Sequence, residues 1–550
     1  MPTASQQRRV FFLVVLVFAV IWFGNLQYRK LVHPDEGRYA EIPREMVATG
    51  NWLTPRLNGI KYFEKPPLQY WATAVSFSIF GEHEWTARLW SALTGFAGVL
   101  LAWFTGRRVF GGSAGNYAAL VLASAALYVG IGHINTLDMG VTFFMSAALS
   151  GFLIAQHESS SKTQERNWML VAWATMALAT LSKGLIGAAL PFLTLIVYCA
   201  IQRDFSLWTR LHLKIGLPLF FAVAAPWFIA VSLANPEFAW FFFVQEHFAR
   251  FATTVHHRTG PAWYFVPVLL IGFLPWIAVM FSAIGQGWKR NPSPVRFNPW
   301  RFLITYMLVI FAFFSFSGSK LISYILPLFP AAALLTGWQL TLLRSRAFAW
   351  QLLPACVVAW VAGIYLWSGD PELLTHHSAA EIYDAYLVWL QTAAAVLAAG
   401  LSFSVWSAFR NRTGRAVVVS AAAALVGVQL IITGYESLSP VMSSHDIAAS
   451  TKPYLKPGIP VYSIHGYDQT FPFYVRHTAT LVEFKDEMEF GLRQQPQLAI
   501  DNLDAFEAQW KLPGDAVAIM PPDSFDLLAS RGCAMEVIAR NRRNVVVRKP

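Results

Sequence analysis

From Val10 to Gly24 the chain carries no charged residue, and stretches of the same kind recur along most of its length. Thirteen are counted, near 10–27, 86–105, 114–132, 139–156, 168–182, 184–201, 214–233, 263–283, 301–316, 322–342, 350–368, 386–408 and 415–434. Apolar runs of about 18 residues suit the hydrocarbon of a bilayer. Their repetition predicts a polytopic α-helical membrane protein. The runs that meet near 183 and near 320 are almost continuous, so a count of eleven to thirteen is expected.

Composition agrees. Only 13% of residues are charged, against about 25% in soluble domains. The 22 Trp and 43 Phe suit aromatic belts at the lipid boundary. Arg8 and Arg9 precede the first run as in a signal peptide, but NLQYRK follows it without an A-x-A site, and an uncleaved first span is expected. Cys199 and Cys356 lie in apolar runs and Cys533 stands alone, which excludes a disulfide framework or a CxxC metal site.

The net charge of +11 reflects topology. With a cytoplasmic N-terminus, the inner segments hold Arg107, Arg108, Lys162, Arg166, Arg203, Arg210, Lys214, Lys289, Arg290, Arg344, Arg346, Arg410 and Arg412, among others. The short outer loops keep only Lys183, Arg250, Arg258 and Lys320. This is the positive-inside pattern, and it gives no reason to invoke nucleic acid.

An odd number of spans places the C-terminal tail outside. From about residue 440, PVYSI, ATLVEF, AVAIM, MEVIA and NVVVRK read as strands, and DNLDAFEAQWK and SFDLLASRG as helices. The organisation expected is a transmembrane domain over 1–438, including an outer loop over 28–85, and a small α/β domain over 439–550. No phosphate loop or metal spacing marks that domain, so a lid or a stabilising role is its plainest reading. Within the outer loop, two interfacial helices joined by an extended piece are expected. Tyr39, Ile42 and Met46 recur at helical spacing before Gly50, and Pro67 to Phe80 is too short to span a bilayer.

The ionisable residues collect at the outer face. HPDEGRYAEIPREM follows the first span directly, and a helix over 34–48 would align Asp35, Arg38, Tyr39 and Ile42 on one side, with Glu36 beside them. A hydrated helix with local ion pairs is the alternative. Asp138 opens the fourth span as a second outer carboxylate or as a helix cap, with His133 five residues earlier. Two acids facing one cavity suit sugar transfer. Lys65 beside Glu64, Lys183, His247, Arg250, Lys320 and Tyr324 fall at the same predicted face. Each could be structural. Together they would offer cations and apolar walls to a lipid phosphate. No Walker loop, G-x-G-x-x-G or D-x-D is found, so a polyprenyl-phosphate sugar fits as donor better than a nucleotide sugar. A transporter would place its charges near the bilayer midplane and often show internal repeats; neither is seen.

HPDEGRYAEIPREMVATGNWLTPRLNGIKYFEKPPLQYW, HINTLDMG, LSKG and SKLISYILP resemble bacterial membrane glycosyltransferases related to protein O-mannosyltransferases, of the GT-C fold, and among them the family that adds 4-amino-4-deoxy-L-arabinose to lipid A. The resemblance covers essentially the whole chain. It implies an enzyme of the inner membrane that takes the sugar from undecaprenyl phosphate and gives it to a lipid A phosphate on the periplasmic side, conferring resistance to polymyxin. Related enzymes that transfer other sugars, protein O-mannosyltransferases among them, share the Asp-Glu element. Under this resemblance Lys65, Arg250 and Tyr324 would hold the departing phosphate. Asp35 would face the sugar, with Glu36 beside it. Asp138 would be the second acid, and Lys183 and Arg38 would balance these charges. No cofactor is required. Glu64 with a nearby His is a possible divalent-metal site.

Overall fold

The computed structural model describes residues 4–249, 260–290, 297–368 and 380–550. They form two compact units. One comprises Met1–Asn25 and Ser91–Gly434, the other Leu26–Trp90 and Tyr435–Pro550.

The first unit is helical. Among the described residues eight helices are long and apolar enough to cross a membrane, and two bent helix pairs bring the number to ten. Three further expected spans fall on helices that are shorter or more polar: α1 (Ala4–Phe23), Lys162–Lys183 and Ile186–Gln202. Both bends have local causes. Gly112–Leu122 and Ala126–Gly132 meet at 65°, where the Ser124 hydroxyl donates back to the Leu120 carbonyl at 2.6 Å. Ala262–Gly272 and Ile277–Lys289 meet at 111° beside Pro275, which cannot continue a helical ladder. Trp276 Nε1 of the second bend donates to Ser124 Oγ of the first at 2.9 Å. Small residues bring helices close: a Cβ on Gly337 would lie 2.5 Å from the Ala118 nitrogen.

The second unit combines Leu26–Trp90, the stretch read from sequence as a loop, with the C-terminal tail. Six strands, β3 (Val461–Ile464), β4 (Thr480–Val482), β5 (Ala499–Ile500), β6 (Val517–Met520), β7 (Glu536–Arg540) and β8 (Val545–Arg548), form a sheet of order β5-β4-β3-β6-β8-β7. The β3, β4, β5 and β6 pairings are parallel, and β8 is antiparallel to β6 and β7. The five strands expected are present, and β5 was not foreseen. Side chains alternate across the sheet. Val517 and Ile519 face one core, Ala518 and Met520 the other. The first of these cores also contains Leu31, Ala40 and Phe77 of that stretch.

That loop holds α2 (Asp35–Thr49), the two-residue strands β1 (Arg56–Leu57) and β2 (Ile60–Lys61), and α3 (Leu68–Phe80). Gly50 caps α2 with φ 69°, as expected. α3 buries Tyr70, Ala74 and Phe77 and exposes Val75, Ile79 and Phe80, and at 13 residues it is short, as expected. α2 differs from expectation. It buries every residue from Glu36 to Met46, with Glu36, Arg38, Glu41 and Arg44 in ion pairs inside the unit. The stretch leads into α4 (Glu84–Val109), one of the eight long apolar helices.

Candidate active site

The candidate residues fall in both units. In the unit of the outer loop and tail, consecutive residues of α2 point about 100° apart, so Asp35 and Glu36 have different surroundings. Glu36 is 1% exposed and takes Arg88 Nε and Nη2 on its two oxygens at 2.7 and 2.8 Å. The remaining Arg88 hydrogens go to the carbonyls of Leu26, Arg29 and Lys30 at 2.7–2.9 Å. A buried bidentate pair of this kind fixes the start of α4 to α2. Glu36, expected beside the chemistry, is thereby occupied as a tether.

Asp35 keeps a side chain 41% exposed. Its Oδ1 accepts Arg38 Nη1 at 2.9 Å. Arg38 is buried, and its Nη2 pairs with Glu487 of the C-terminal domain at 2.6 Å. Glu487 also accepts from Gln469 Nε2 and, at 3.3 Å, from the Tyr62 hydroxyl. Burial pushes the Glu487 carboxyl up, and the Arg38 guanidinium opposes the shift. Tyr39 stacks on Tyr70 with ring centroids 6.2 Å apart, and the Arg38 guanidinium lies 5.8 Å from the Tyr39 ring. Lys65 follows in a non-helical stretch, as its position before Pro66 predicts. Its Nζ donates to the Glu64 carbonyl at 2.8 Å and lies 3.8 Å from Glu64 Oε2. Glu64 and Arg38 both act on the Tyr62 and Tyr70 hydroxyls, so the Asp35–Arg38 and Glu64–Lys65 pairs are neighbours. Among the described residues no group of three or more His, Cys, Asp or Glu side chains is placed to hold a metal ion.

In the membrane unit, Lys183 ends the helix Lys162–Lys183, and its Nζ pairs with Asp138 in the first turn of Leu137–Gln156. Asp138 is therefore an ion-pair partner and makes no side-chain cap. Lys183 Nζ also stands 4.8 Å from the Tyr324 ring. These three expected residues are brought together. Lys320 has a different job. Its Nζ donates to the carbonyls of Phe314, Ser315 and Ser317 at 2.8–3.4 Å and closes the C-terminal end of Pro299–Phe316. His133 is also structural, with its ring nitrogens 2.7 Å from the Val129 and Trp22 carbonyls. His247 lies in the π-helix Trp240–Ala249, but its side chain, like the whole of Arg250, is outside the described residues.

Three participants escaped the sequence reading. Arg88 had a signal, since a lone arginine in the apolar start of a span needs an acidic partner. Glu487 and Gln469 had none, as both sit in an ordinary polar tail.

Two family models match parts of the chain. Residues 447–549 match the family described as Aminoarabinose transferase C-terminal domain. Residues 64–229 match Dolichyl-phosphate-mannose-protein mannosyltransferase. The undecaprenyl phosphate-alpha-4-amino-4-deoxy-L-arabinose arabinosyl transferase of Aeromonas salmonicida is 34% identical over 362 residues, 64% of this chain and 63% of the relative. A counterpart from Proteus mirabilis is 33% identical over 63% of this chain and 62% of its own. The chain thus spans just under two thirds of the length of these curated relatives. The crystal structure of ArnT from Cupriavidus metallidurans bound to undecaprenyl phosphate is 38% identical with a TM-score of 0.92, covering 100% of this chain and 99% of that one.

Proposed function

The chain belongs to the ArnT family of aminoarabinose transferases, and from that premise we propose that it moves 4-amino-4-deoxy-L-arabinose from undecaprenyl phosphate to a phosphate of lipid A. The observation that carries the reading is the full-length match to a transferase crystallised with undecaprenyl phosphate. Under it the membrane is the bacterial inner membrane, the N-terminus is cytoplasmic, and the chemistry faces the periplasm. Resistance to polymyxin and other cationic peptides follows, because the added amine offsets lipid A phosphate charge.

The acceptor phosphate oxygen attacks the anomeric carbon, and the bond to undecaprenyl phosphate breaks with its electron pair on the leaving phosphate. An ionised phosphate acceptor needs no strong base, so stabilising the departing charge is the main catalytic demand. Lys65 and Arg250 are assigned to that charge, with Tyr324 and the Lys183–Asp138 pair in support. Asp35, with its exposed carboxylate, is assigned to the sugar, pairing with its amine or orienting the acceptor. Glu36 and Lys320 receive no contact with substrate, since their polar atoms are engaged within the fold.

The test uses a polymyxin-sensitive strain that makes the lipid-linked aminoarabinose and lacks its transferase. Expression of this chain should produce an aminoarabinose adduct on lipid A by mass spectrometry, and Asp35→Asn should remove it without loss of membrane-inserted protein. Lipid A left unmodified by a well-expressed chain would reject the reading. The match over residues 64–229 favours a second reading, transfer of another sugar from a polyprenyl phosphate, which mannosylated protein in place of the adduct would support.

A further inference from the structure

The tail delivers Glu487 to α2 by a strained route. Asp486 adopts φ 34°, a conformation that residues with a Cβ rarely take, and the following turn is anchored by Met488, which is buried. Gln469 and Tyr62 then donate to the Glu487 carboxylate. Its remaining strong partner is Arg38 at 2.6 Å. Arg38 in turn reaches Asp35 at 2.9 Å. One guanidinium is thus held at both ends, by a buried acid on one side and by the exposed Asp35 on the other.

Under the transferase reading the donor phosphate is assigned to Lys65, whose pair with Glu64 neighbours Arg38, so that phosphate is a competing partner for the guanidinium. Its planar fork pairs bidentately with phosphate at least as well as with carboxylate. If Arg38 were released it would turn to the phosphate of the donor, bind it tightly in the ground state, and leave Asp35 unsupported. Ground-state binding of this kind does not speed transfer.

We infer that Glu487 is a positioning residue that keeps Arg38 on Asp35 and off substrate phosphate. The C-terminal domain therefore contributes to turnover through this carboxylate and is more than a cover or a support. The catalytic consequence rests on the transferase reading; the two ion pairs do not.

The experiment measures undecaprenyl phosphate binding and transfer with purified full-length protein in detergent. The variants are Glu487→Gln, Glu487→Asp, Arg38→Ala, and the double variant Arg38→Ala/Glu487→Gln. Glu487→Gln is expected to bind undecaprenyl phosphate about tenfold more tightly, while kcat falls roughly 10- to 100-fold. Glu487→Asp should restore most of the wild-type behaviour. The double variant should bind no more tightly than Arg38→Ala, because the gain requires the released guanidinium. A merely structural role would weaken binding and lower the unfolding temperature, and would not tighten anything. Unchanged or weaker binding by Glu487→Gln, with a wild type that binds, overturns this inference alone. A wild type that neither binds undecaprenyl phosphate nor transfers sugar overturns the transferase reading and the inference with it.

Discussion

Glu45 shows how far a single environment can move a residue's chemistry. It lies on α2, 5% exposed, and its Oε2 accepts the Gly59 backbone N–H at 2.9 Å. Burial, reinforced by the neighbouring Glu41, pushes its carboxyl up from 4.5 to about 8. Near neutral pH the folded protein therefore holds Glu45 protonated. The folded state binds this proton more tightly than the unfolded chain, so the contribution is present in full below pH 4.5 and is lost as pH rises towards 8. The unfolding temperature in detergent should fall between pH 5 and 8 more steeply for the wild type than for Glu45→Gln. Parallel curves for the two proteins would contradict the assignment. The sequence makes Glu45 look like one more hydrated charge. Only the packing of α2 against the rest of its unit reveals otherwise, and a residue's burial in a long-range contact is not encoded by its neighbours in the chain. Asp35 and Glu36 make the same point. The charge density of HPDEGRYAE was legible, but which acid tethers and which stays open depended on Arg88, 52 residues away.

At the scale of elements, α2 and the β1–β2 hairpin are fastened to the C-terminal domain by close backbone approach. A Cβ on Gly37 would lie 2.5–2.6 Å from the backbone of Gln469 and Thr470. One on Gly491 would lie 2.3 Å from the Lys61 carbonyl. Asn58 exchanges hydrogen bonds with both backbone groups of Ala479, at 2.6 and 2.7 Å. Gly37→Ala should therefore separate α2 from the tail, lower the unfolding temperature by several degrees, and expose the tail to protease; an unaltered digestion pattern would show that the contact yields without cost. The hairpin could have been read in advance. Asn58-Gly59, with φ 59° and 75°, is the dipeptide that a tight two-residue turn demands. The helices α2 and α3 and the five foreseen strands were legible from periodicity and turn residues. The two-residue β5 and the short helix Thr470–Val475 were not, because segments of that length carry no period.

Across the whole molecule, the spacing of apolar runs located the membrane helices, whereas it could not assign the outer loop to a partner. That assignment needed the shared core of Ala40, Phe77, Val517 and Ile519, whose members are separated by hundreds of residues and resemble any other apolar positions. The orientation proposed from the basic residues leads to a direct measurement. In intact spheroplasts of a strain with an opened outer membrane, and with the tail's own free Cys533 replaced by Cys533→Ser, Glu489→Cys, in an exposed part of the tail, should react with an impermeant maleimide. Arg346→Cys, after the helix Phe329–Leu342, should react only once the inner membrane is breached. The reverse pattern would invert the topology.

The division of the second unit between the two ends of the chain also has a temporal side. Leu26–Trp90 leaves the ribosome first, and Tyr435–Pro550 last. Between them come roughly 340 residues, which take tens of seconds to synthesise. During that interval α2 has no tail against which to bury Glu41, Arg44 and Glu45, and Ala40 and Phe77 have no sheet to cover. The early loop must wait in a half-made state, so a chain truncated near its C-terminus would present that loop, unfinished, to the quality-control proteases of its compartment.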